Sequence, residues 1–255
     1  ITPNDIELYQ LLTQVHTLQY DWQQARDVIT LGEEQLSQDN VAITNLYARL
    51  QLTAGQVSPS LFTYYQHAHQ SYPLVKSHLI ALSQLHLLND DHQNAYRTLN
   101  SLIMKDRDWQ LNGVSFGPLF RLYGDEQRAE ESIYHGLQYL GVKERYIPLI
   151  TKFLKATEKN GESSIETAIN QALQRKEILP STMLFIYSAI GDVDSFYPLA
   201  LKLAAQHQFN PRTLITIHAK KLRQDKRFTV LMEKIGLIAY WRAFGAPKYC
   251  SLGSV

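Results

Sequence analysis

The stretch ALSQLHLLNDDHQNAYRTL, residues 81–99, decides the fold. It holds two runs with apolar residues at helical spacing, Ala81 to Leu88 and Ala95 to Leu99, and a polar break between them at Asp90-Asp91. Aspartate commonly caps the start of a helix, and a break this short leaves the second helix antiparallel to the first. The stretch therefore predicts a helical hairpin.

The same pattern recurs along the chain. Similar breaks begin at six residues, with gaps of 35, 35, 34, 37 and 30 positions: Tyr20, Gly55, Asp90, Gly124, Gly161 and Gly191. Side chains repeat at fixed offsets as well, with small residues seven positions before four of the breaks: Thr13, Ala48, Ser83 and Gly117. Apolar residues follow nine positions after the same breaks, namely Ile29, Tyr64, Leu99 and Ile133. Two helices approach closely where one offers a small residue and the other an apolar knob. The pattern predicts repeated hairpins, an all-α fold.

This register resembles that of the tetratricopeptide repeat family over residues 3 to 207, most closely around Tyr20, Asp90 and Gly124. The resemblance implies a right-handed superhelical solenoid of about six hairpins with a C-terminal capping segment. The unit around Gly161 fits only if its marker moves by two residues. Pro118 predicts a kink or a late helix start, because proline donates no backbone hydrogen bond.

The pattern changes after Asn210-Pro211, so we expect a repeat array over residues 1–210, with residues 211–255 forming capping helices and a tail of the same domain. Helices are predicted over Thr213 to Leu222 and Phe228 to Ile235. The last unit of a repeat array needs a cover for its apolar face. Five residues would form that cover: Leu231, Ile235, Leu237, Tyr240 and Trp241.

The tail carries a second resemblance. Asp225-Lys226-Arg227-Phe228, followed by Leu231, Ile235-Gly236-Leu237 and Tyr240-Trp241, is similar to the ending of bacterial regulators that join such repeats to a winged-helix domain of the CadC/ToxR type or to a cyclase-type signalling domain. Lys226 and Ala246 depart from that family's pattern. The first residue is Ile1, so we expect a mature form or a fragment, with an upstream DNA-binding or membrane segment left open.

Composition excludes several classes of function. With 25 basic and 24 acidic residues, the net charge of +1 gives no overall attraction to nucleic acid or acidic lipid, and we expect no direct nucleic-acid binding by this region. The single cysteine, Cys250, excludes an internal disulfide and a cysteine-based zinc site. No run approaches the roughly 20 apolar residues of a membrane helix, so membrane attachment would need a segment outside this sequence. The compartment stays open between cytoplasm and periplasm.

The sequence shows no sign of catalysis. It has no glycine-rich phosphate loop and no Gly-x-Ser-x-Gly motif. His67 and His69 are two positions apart, which points them to different faces of a helix and argues against a metal site. The polar cluster Asp90, Asp91 and His92 is predicted to cap a helix rather than to bind a ligand, and the same is expected of Asp192 and Asp194. We therefore predict no metal, no cofactor and no enzymatic activity.

Binding is the remaining class of function. In the tetratricopeptide register the inner face of the superhelix carries Gln10, Gln14, Asn45, Arg49, Gln84, Arg121 and Phe185. Amide and guanidinium groups suit the backbone and carboxylates of a protein or peptide, and a small effector is a further candidate. A basic run with Lys220, Lys221, Arg223 and Arg227 could receive an acidic partner, or could simply be the solvated face of a terminal helix. A homodimer is also open.

Two hypotheses of function follow. The first is a non-catalytic binding or sensory domain of a bacterial signalling or transcriptional regulator. The alternative is a free-standing scaffold or chaperone adaptor that mediates protein–protein interaction. The Lys/Asn/Arg set of carboxylate-clamp tetratricopeptide domains is not present, so capture of chaperone tails is not expected.

Overall fold

The computed structural model describes residues 5–36, 41–101, 113–156 and 163–247. Within these ranges the chain forms fifteen α-helices and no strand, which confirms the all-α fold. The helices are α1 (Ile6–Leu18), α2 (Trp22–Leu36), α3 (Val41–Thr53), α4 (Pro59–Ser71), α5 (Ser77–Leu88), α6 (His92–Asn100), α7 (Gly113–Leu122), α8 (Glu126–Tyr139), α9 (Ile147–Ala156), α10 (Ser163–Gln174), α11 (Pro180–Ile190), α12 (Val193–Ala204), α13 (Ala219–Gln224), α14 (Arg227–Lys234) and α15 (Leu237–Phe244). Short 3-10 helices lie at Glu144–Tyr146 and Pro211–Leu214. No described helix has the length and hydropathy to cross a membrane.

Consecutive helices pack as hairpins, with α1 against α2, α5 against α6, α7 against α8, and α11 against α12. Left-handed backbone angles occur at five of the predicted breaks: Tyr20 (φ 62°), Gly55 (71°), Asp90 (58°), Gly124 (79°) and Gly191 (65°). Four of these turns lie within the packed pairs, whereas the turn at Gly55 joins α3 to α4, which packs against α5 instead. After each one, the next amide donates to the carbonyl oxygen five residues earlier, at 2.9 to 3.0 Å. This hydrogen bond is the closure of a Schellman motif, which satisfies the last carbonyl groups of the helix. Gly161, the sixth predicted break, lies outside the described residues.

Aspartate side chains start the helix that follows four of these turns. Asp91 accepts a hydrogen bond from the backbone amide of Asn94 at 3.1 Å, and Asp192 accepts one from that of Ser195 at 3.1 Å. Asp21 and Asp125 cap α2 and α8 in the same way. The predicted capping roles of Asp91 and Asp192 are confirmed, and each such cap contributes about 1 kcal/mol to helix stability. Asp90 lies instead in the left-handed turn before the cap, and Asp194 lies within the first turn of α12.

The small residues of the repeat lie where helices meet. Thr13, Ala48, Ser83 and Gly117 are all buried. A Cβ atom on Gly117 would lie 2.4 Å from Cγ1 of Ile133, so the approach of α7 to α8 depends on a glycine there. The predicted meeting of a small residue with an apolar knob is confirmed at this pair.

The predicted late helix start at Pro118 is wrong. Helix α7 runs from Gly113 to Leu122 with Pro118 inside it. Proline inside a helix removes the hydrogen bond that its own nitrogen would donate, and its ring crowds the carbonyl group four residues earlier. The close contact of α7 with α8, where a Cβ on Gly113 would lie 2.0 Å from the carbonyl oxygen of Ser132, holds the helix together on the N-terminal side of Pro118.

The C-terminal segment, residues 207–245, packs against both ends of the array. On the last hairpin, Tyr197 donates its hydroxyl to the carbonyl oxygen of Leu222, and Lys221 Nζ donates to that of Gly191 at 2.7 Å. On the first hairpins, the amide of Phe209 donates to the hydroxyl oxygen of Tyr20 at 2.8 Å. The segment therefore joins the last hairpin to the first, in addition to covering the last one.

The five predicted covering residues are all buried, so that part of the prediction is confirmed: Leu231, Ile235, Leu237, Tyr240 and Trp241. They share one apolar cluster with Trp22 and Ile29 of α2, a contact that the sequence did not predict. The helix predicted over Thr213 to Leu222 is wrong in its first half, because α13 begins at Ala219. The carbonyl oxygen of Thr213 accepts from the Ser188 hydroxyl instead of from a helical amide.

Candidate functional site

Two neighbouring cavities lie between the first hairpins and the C-terminal segment. The larger cavity has a volume of about 640 Å³ and lies between α3, α5 and the residues just before α5. The smaller cavity, about 260 Å³, lies between α1, α3 and residues 207–212. Arg49, Thr53 and Arg212 line both cavities. We take the two cavities and these three shared residues as the candidate site.

Five of the seven residues predicted for the inner face line these cavities. Gln10 and Gln14 line the smaller one, Asn45 and Gln84 line the larger one, and Arg49 lines both. These five residues lie on α1, α3 and α5.

The other two predicted residues lie elsewhere. Arg121 is mostly buried, and its Nε donates to Glu126 Oε2 at 3.0 Å. Phe185 is partly buried and packs against the apolar cluster that α9 and α11 share. Neither residue lines the two cavities.

Arg212 is the site residue that the sequence did not predict. It lies in the 3-10 helix Pro211–Leu214, and its Nη2 donates to Oε1 of Gln84 at 3.1 Å. Gln84 is 3% exposed, so this bond fixes the guanidinium over the floor of the larger cavity. No local pattern could have revealed Arg212, because the folding of the C-terminal segment onto α5 brings it there.

The electrostatics of the site are dominated by the two arginines. Burial first, and the nearby Arg49 second, lower the pKa of Arg212 below its usual range. None of the described residues that line the two cavities is acidic. The site therefore carries a positive potential that its own walls do not neutralise.

Neutral polar groups complete the lining of the larger cavity. Burial raises the pKa of the Tyr65 hydroxyl, which stays protonated at neutral pH and can donate a hydrogen bond. Burial, and then His69, lower the pKa of His78, which is therefore a neutral imidazole near pH 7. The Tyr64 hydroxyl donates to Oδ1 of Asn45 at 2.6 Å, which leaves the amide nitrogen of Asn45 to donate elsewhere.

Polar atoms in both cavities lack partners within the described residues. Nδ1 of His78, in the larger cavity, and Oγ1 of Thr13, in the smaller, are buried without a hydrogen bond from any described residue. Buried polar atoms are nearly always bonded to protein, solvent or ligand. These two atoms lie beneath the surface of the cavities, where no described residue satisfies them.

An apolar lip borders the larger cavity. Leu74 is 91% exposed and Val75 is 42% exposed, and both lie in the connection between α4 and α5 that lines the cavity. Large exposed apolar side chains beside a polar pocket indicate a surface whose burial by a bound molecule would be energetically favourable. The cavity thus combines a cationic floor with an apolar edge.

The basic run predicted for an acidic partner is largely engaged inside the chain. Arg223 Nη2 lies 2.9 Å from Asp90 Oδ1, and its side chain is 6% exposed. Arg227 pairs with Asp194 and Asp225, and Lys221 bonds the carbonyl oxygen of Gly191. Lys220 is exposed. Three of the four side chains therefore hold the C-terminal segment in place.

Metal binding finds no support among the described residues, where no three His, Cys, Asp or Glu side chains are grouped to hold an ion. His16 and His86 lie beside helix-capping carboxylates, with Nδ1 of His86 3.3 Å from Oδ2 of Asp91. Cys250 lies outside the described residues.

Comparison with protein-family models, with curated proteins and with solved structures finds no match for this chain. The resemblance to tetratricopeptide repeats and to bacterial regulators therefore stays a prediction from the sequence. What the chain binds has to be inferred from the side chains that line the two cavities.

Proposed function

We propose that this chain is a non-catalytic binding module that takes up a small ligand in the two cavities between its first hairpins and its C-terminal segment. The observation that carries the proposal is the larger cavity, about 640 Å³, with its cationic floor and apolar lip. Sites for small molecules have volumes of about 300–1,000 Å³ and combine apolar walls with a few placed polar groups.

A small ligand is favoured over an extended peptide because the C-terminal segment lies across the face where a peptide would run. Gln84, predicted to face a partner, is buried and bonded to Arg212. The volume left free lies in two neighbouring, half-open cavities that share Arg49 and Arg212 as lining residues. A peptide in extended conformation spans about 3.3 Å per residue and would need a continuous groove.

We place this module in a bacterial signalling or transcriptional regulator, where occupancy of the cavities would change the output of another domain. The support for this context is the resemblance of the repeats and of residues 225–241 to such regulators. The C-terminal segment offers a route for coupling, because residues 207–212 line the smaller cavity and the same stretch contacts the first hairpin through Phe209 and Tyr20. Sequencing the gene upstream of Ile1 tests the context: a winged-helix or cyclase-type domain supports it, and a start codon directly before Ile1 contradicts it.

Protein–protein interaction is a second candidate, favoured by one observation. Four apolar residues on α1 are exposed: Leu11 (59%), Leu12 (37%), Val15 (38%) and Leu18 (59%). Such a face suits a partner helix or a second copy of this chain. Light scattering of wild type and of the Leu11→Gln/Leu18→Gln variant tests self-association: a dimer in the first and a monomer in the second supports it.

Filling the larger cavity tests the small-ligand function. Ser77 lines this cavity and is exposed, so Ser77→Trp should occupy the ligand volume without disturbing the core. Gln93→Trp, on the exposed face of α6, is the matched control. A metabolite screen by thermal shift, followed by calorimetry, should find ligands that bind the wild type and Gln93→Trp alike and lose at least tenfold in affinity for Ser77→Trp. Equal binding to all three proteins would refute the site.

A further inference from the structure

Two guanidinium groups from distant parts of the chain face the same space. Arg49 lies on α3 and Arg212 lies in the 3-10 helix of the C-terminal segment. Both line the larger cavity and both line the smaller one, so they stand on the boundary between the two. Folding of the C-terminal segment onto the first hairpins brings like charges together, which by itself is unfavourable.

No acidic side chain lines this boundary among the residues that the structure describes. The partner of Arg212 is the neutral amide oxygen of Gln84, at 3.1 Å. Arg49 is exposed, and no described carboxylate forms an ion pair with either guanidinium. Some partly buried arginines elsewhere have a carboxylate partner, as Arg223 has Asp90 and Arg227 has Asp225. An anion between Arg49 and Arg212 would supply a negative charge that no described lining residue provides there.

Several groups around the two arginines can donate hydrogen bonds. Lys76 also lines the larger cavity, and the protonated Tyr65 hydroxyl and the Asn45 amide face the same volume. Guanidinium groups bind oxyanions with two parallel hydrogen bonds, and a phosphate group with two negative charges suits two such forks better than a singly charged carboxylate does. The cavity beyond them has room for the organic part of a ligand.

We propose that Arg49 and Arg212 form a binding site for a phosphate monoester dianion carried by a small molecule. The placement of the ligand's organic part rests on the proposed ligand-binding function, whereas the anion site itself does not. The phosphate lies between the two guanidinium groups, and the remainder of the molecule extends into the larger cavity, where Leu74 and Val75 cover its apolar surface.

Inorganic phosphate is the probe for the anion site. At constant ionic strength, phosphate should raise the melting temperature of the wild type in a saturable way, and calorimetry should give a measurable affinity. Arg49→Gln should weaken phosphate binding at least tenfold, because a charge-assisted hydrogen bond is lost. Arg97→Gln, an exposed arginine on α6, removes the same charge outside the cavities and should bind as the wild type does. Since Arg49 is exposed, its variant is expected to fold, and Arg49→Lys should recover part of the affinity.

Several results would overturn the assignment: equal phosphate binding by Arg49→Gln and wild type, no stabilisation beyond that of sodium chloride, or tighter binding of succinate than of phosphate. Ser77→Trp separates the two proposals, because it fills the larger cavity but leaves both arginines in place. Retained binding of inorganic phosphate by Ser77→Trp supports the anion site. If no phosphorylated small molecule then binds the wild type more tightly than phosphate does, the proposed ligand-binding function fails while the anion site stands.

Discussion

The indole nitrogen of Trp22 donates a hydrogen bond to the carbonyl oxygen of Ile235 at 2.6 Å, between residues 213 positions apart in the chain. A second bond runs from the C-terminal segment back to the first hairpins: the indole nitrogen of Trp241 donates to the carbonyl oxygen of Ala54 at 2.9 Å. Both bonds are buried and join the first two hairpins to the C-terminal segment. The two ends of the chain therefore form one core, and we expect them to unfold together.

Trp22→Phe should lower the free energy of unfolding by about 1–3 kcal/mol, because it leaves the buried Ile235 carbonyl without its donor while keeping most of the apolar area. Urea denaturation measures the change, and limited proteolysis should show earlier cleavage in the C-terminal segment. Tyr139→Phe removes the hydroxyl group of an exposed aromatic residue and is the control, and its free energy of unfolding should differ from that of the wild type by no more than about 0.5 kcal/mol. Equal stabilities of Trp22→Phe and wild type would show that the bond is unimportant.

The local parts of this fold could be predicted from the sequence. The breaks at Tyr20 and Asp90 were located by spacing and composition because a Schellman turn and an aspartate cap depend on a few neighbouring residues. The inner positions Gln10 and Arg49 followed from the same register. The position of Arg212 could not be predicted, because it depends on how a segment of irregular sequence docks on helices more than a hundred residues earlier.

Gly117→Ala should destabilise the α7–α8 hairpin by about 1–3 kcal/mol, because the added Cβ would lie 2.4 Å from Cγ1 of Ile133 inside a packed interface. Ile133→Ala alone should cost about 2–5 kcal/mol by leaving a cavity. Because the two changes affect the same contact, the double variant should lose less stability than the sum of the single variants. Thermal and urea denaturation of the four proteins give the coupling, and strict additivity would contradict the proposed clash.

Acidification should destabilise the protein through His218. Burial first, and then the positive Lys221 and His92, hold the pKa of His218 below its ordinary value of 6.5. Below that value the unfolded chain binds a proton that the folded chain does not yet take up, so the free energy of unfolding falls as the pH is lowered from about 7.5 to 5.5. His218→Gln should flatten this dependence, whereas His67→Gln, at an exposed position, should leave it unchanged. Chemical denaturation at four pH values measures the slope, and an equally steep slope in His218→Gln would refute this role.

The ion pair between Asp90 and Arg223 should contribute more than a surface pair does. The Arg223 side chain is 6% exposed, and its Nη2 lies 2.9 Å from Oδ1 of Asp90. Asp90 also holds a left-handed turn, with φ 58°. Asparagine tolerates that conformation, so Asp90→Asn removes the charge and keeps the turn. The loss should be about 1–3 kcal/mol, because a mostly buried guanidinium loses its ion pair with Asp90.

A double-mutant cycle separates this effect from a general loss of polarity. Arg223→Met replaces the buried charge by an apolar side chain of similar length, and in that background Asp90→Asn should cost much less than it does alone. Asp27→Asn, at an exposed position of α2, serves as the control for the charge change itself. If Asp90→Asn destabilises both backgrounds equally, the pair does not anchor the C-terminal segment to the hairpin of α5 and α6. A coupling free energy of about 1 kcal/mol or more would show that the pair anchors the segment. The segment that carries Arg212 would then be held beside α5 by an ion pair as well as by packing.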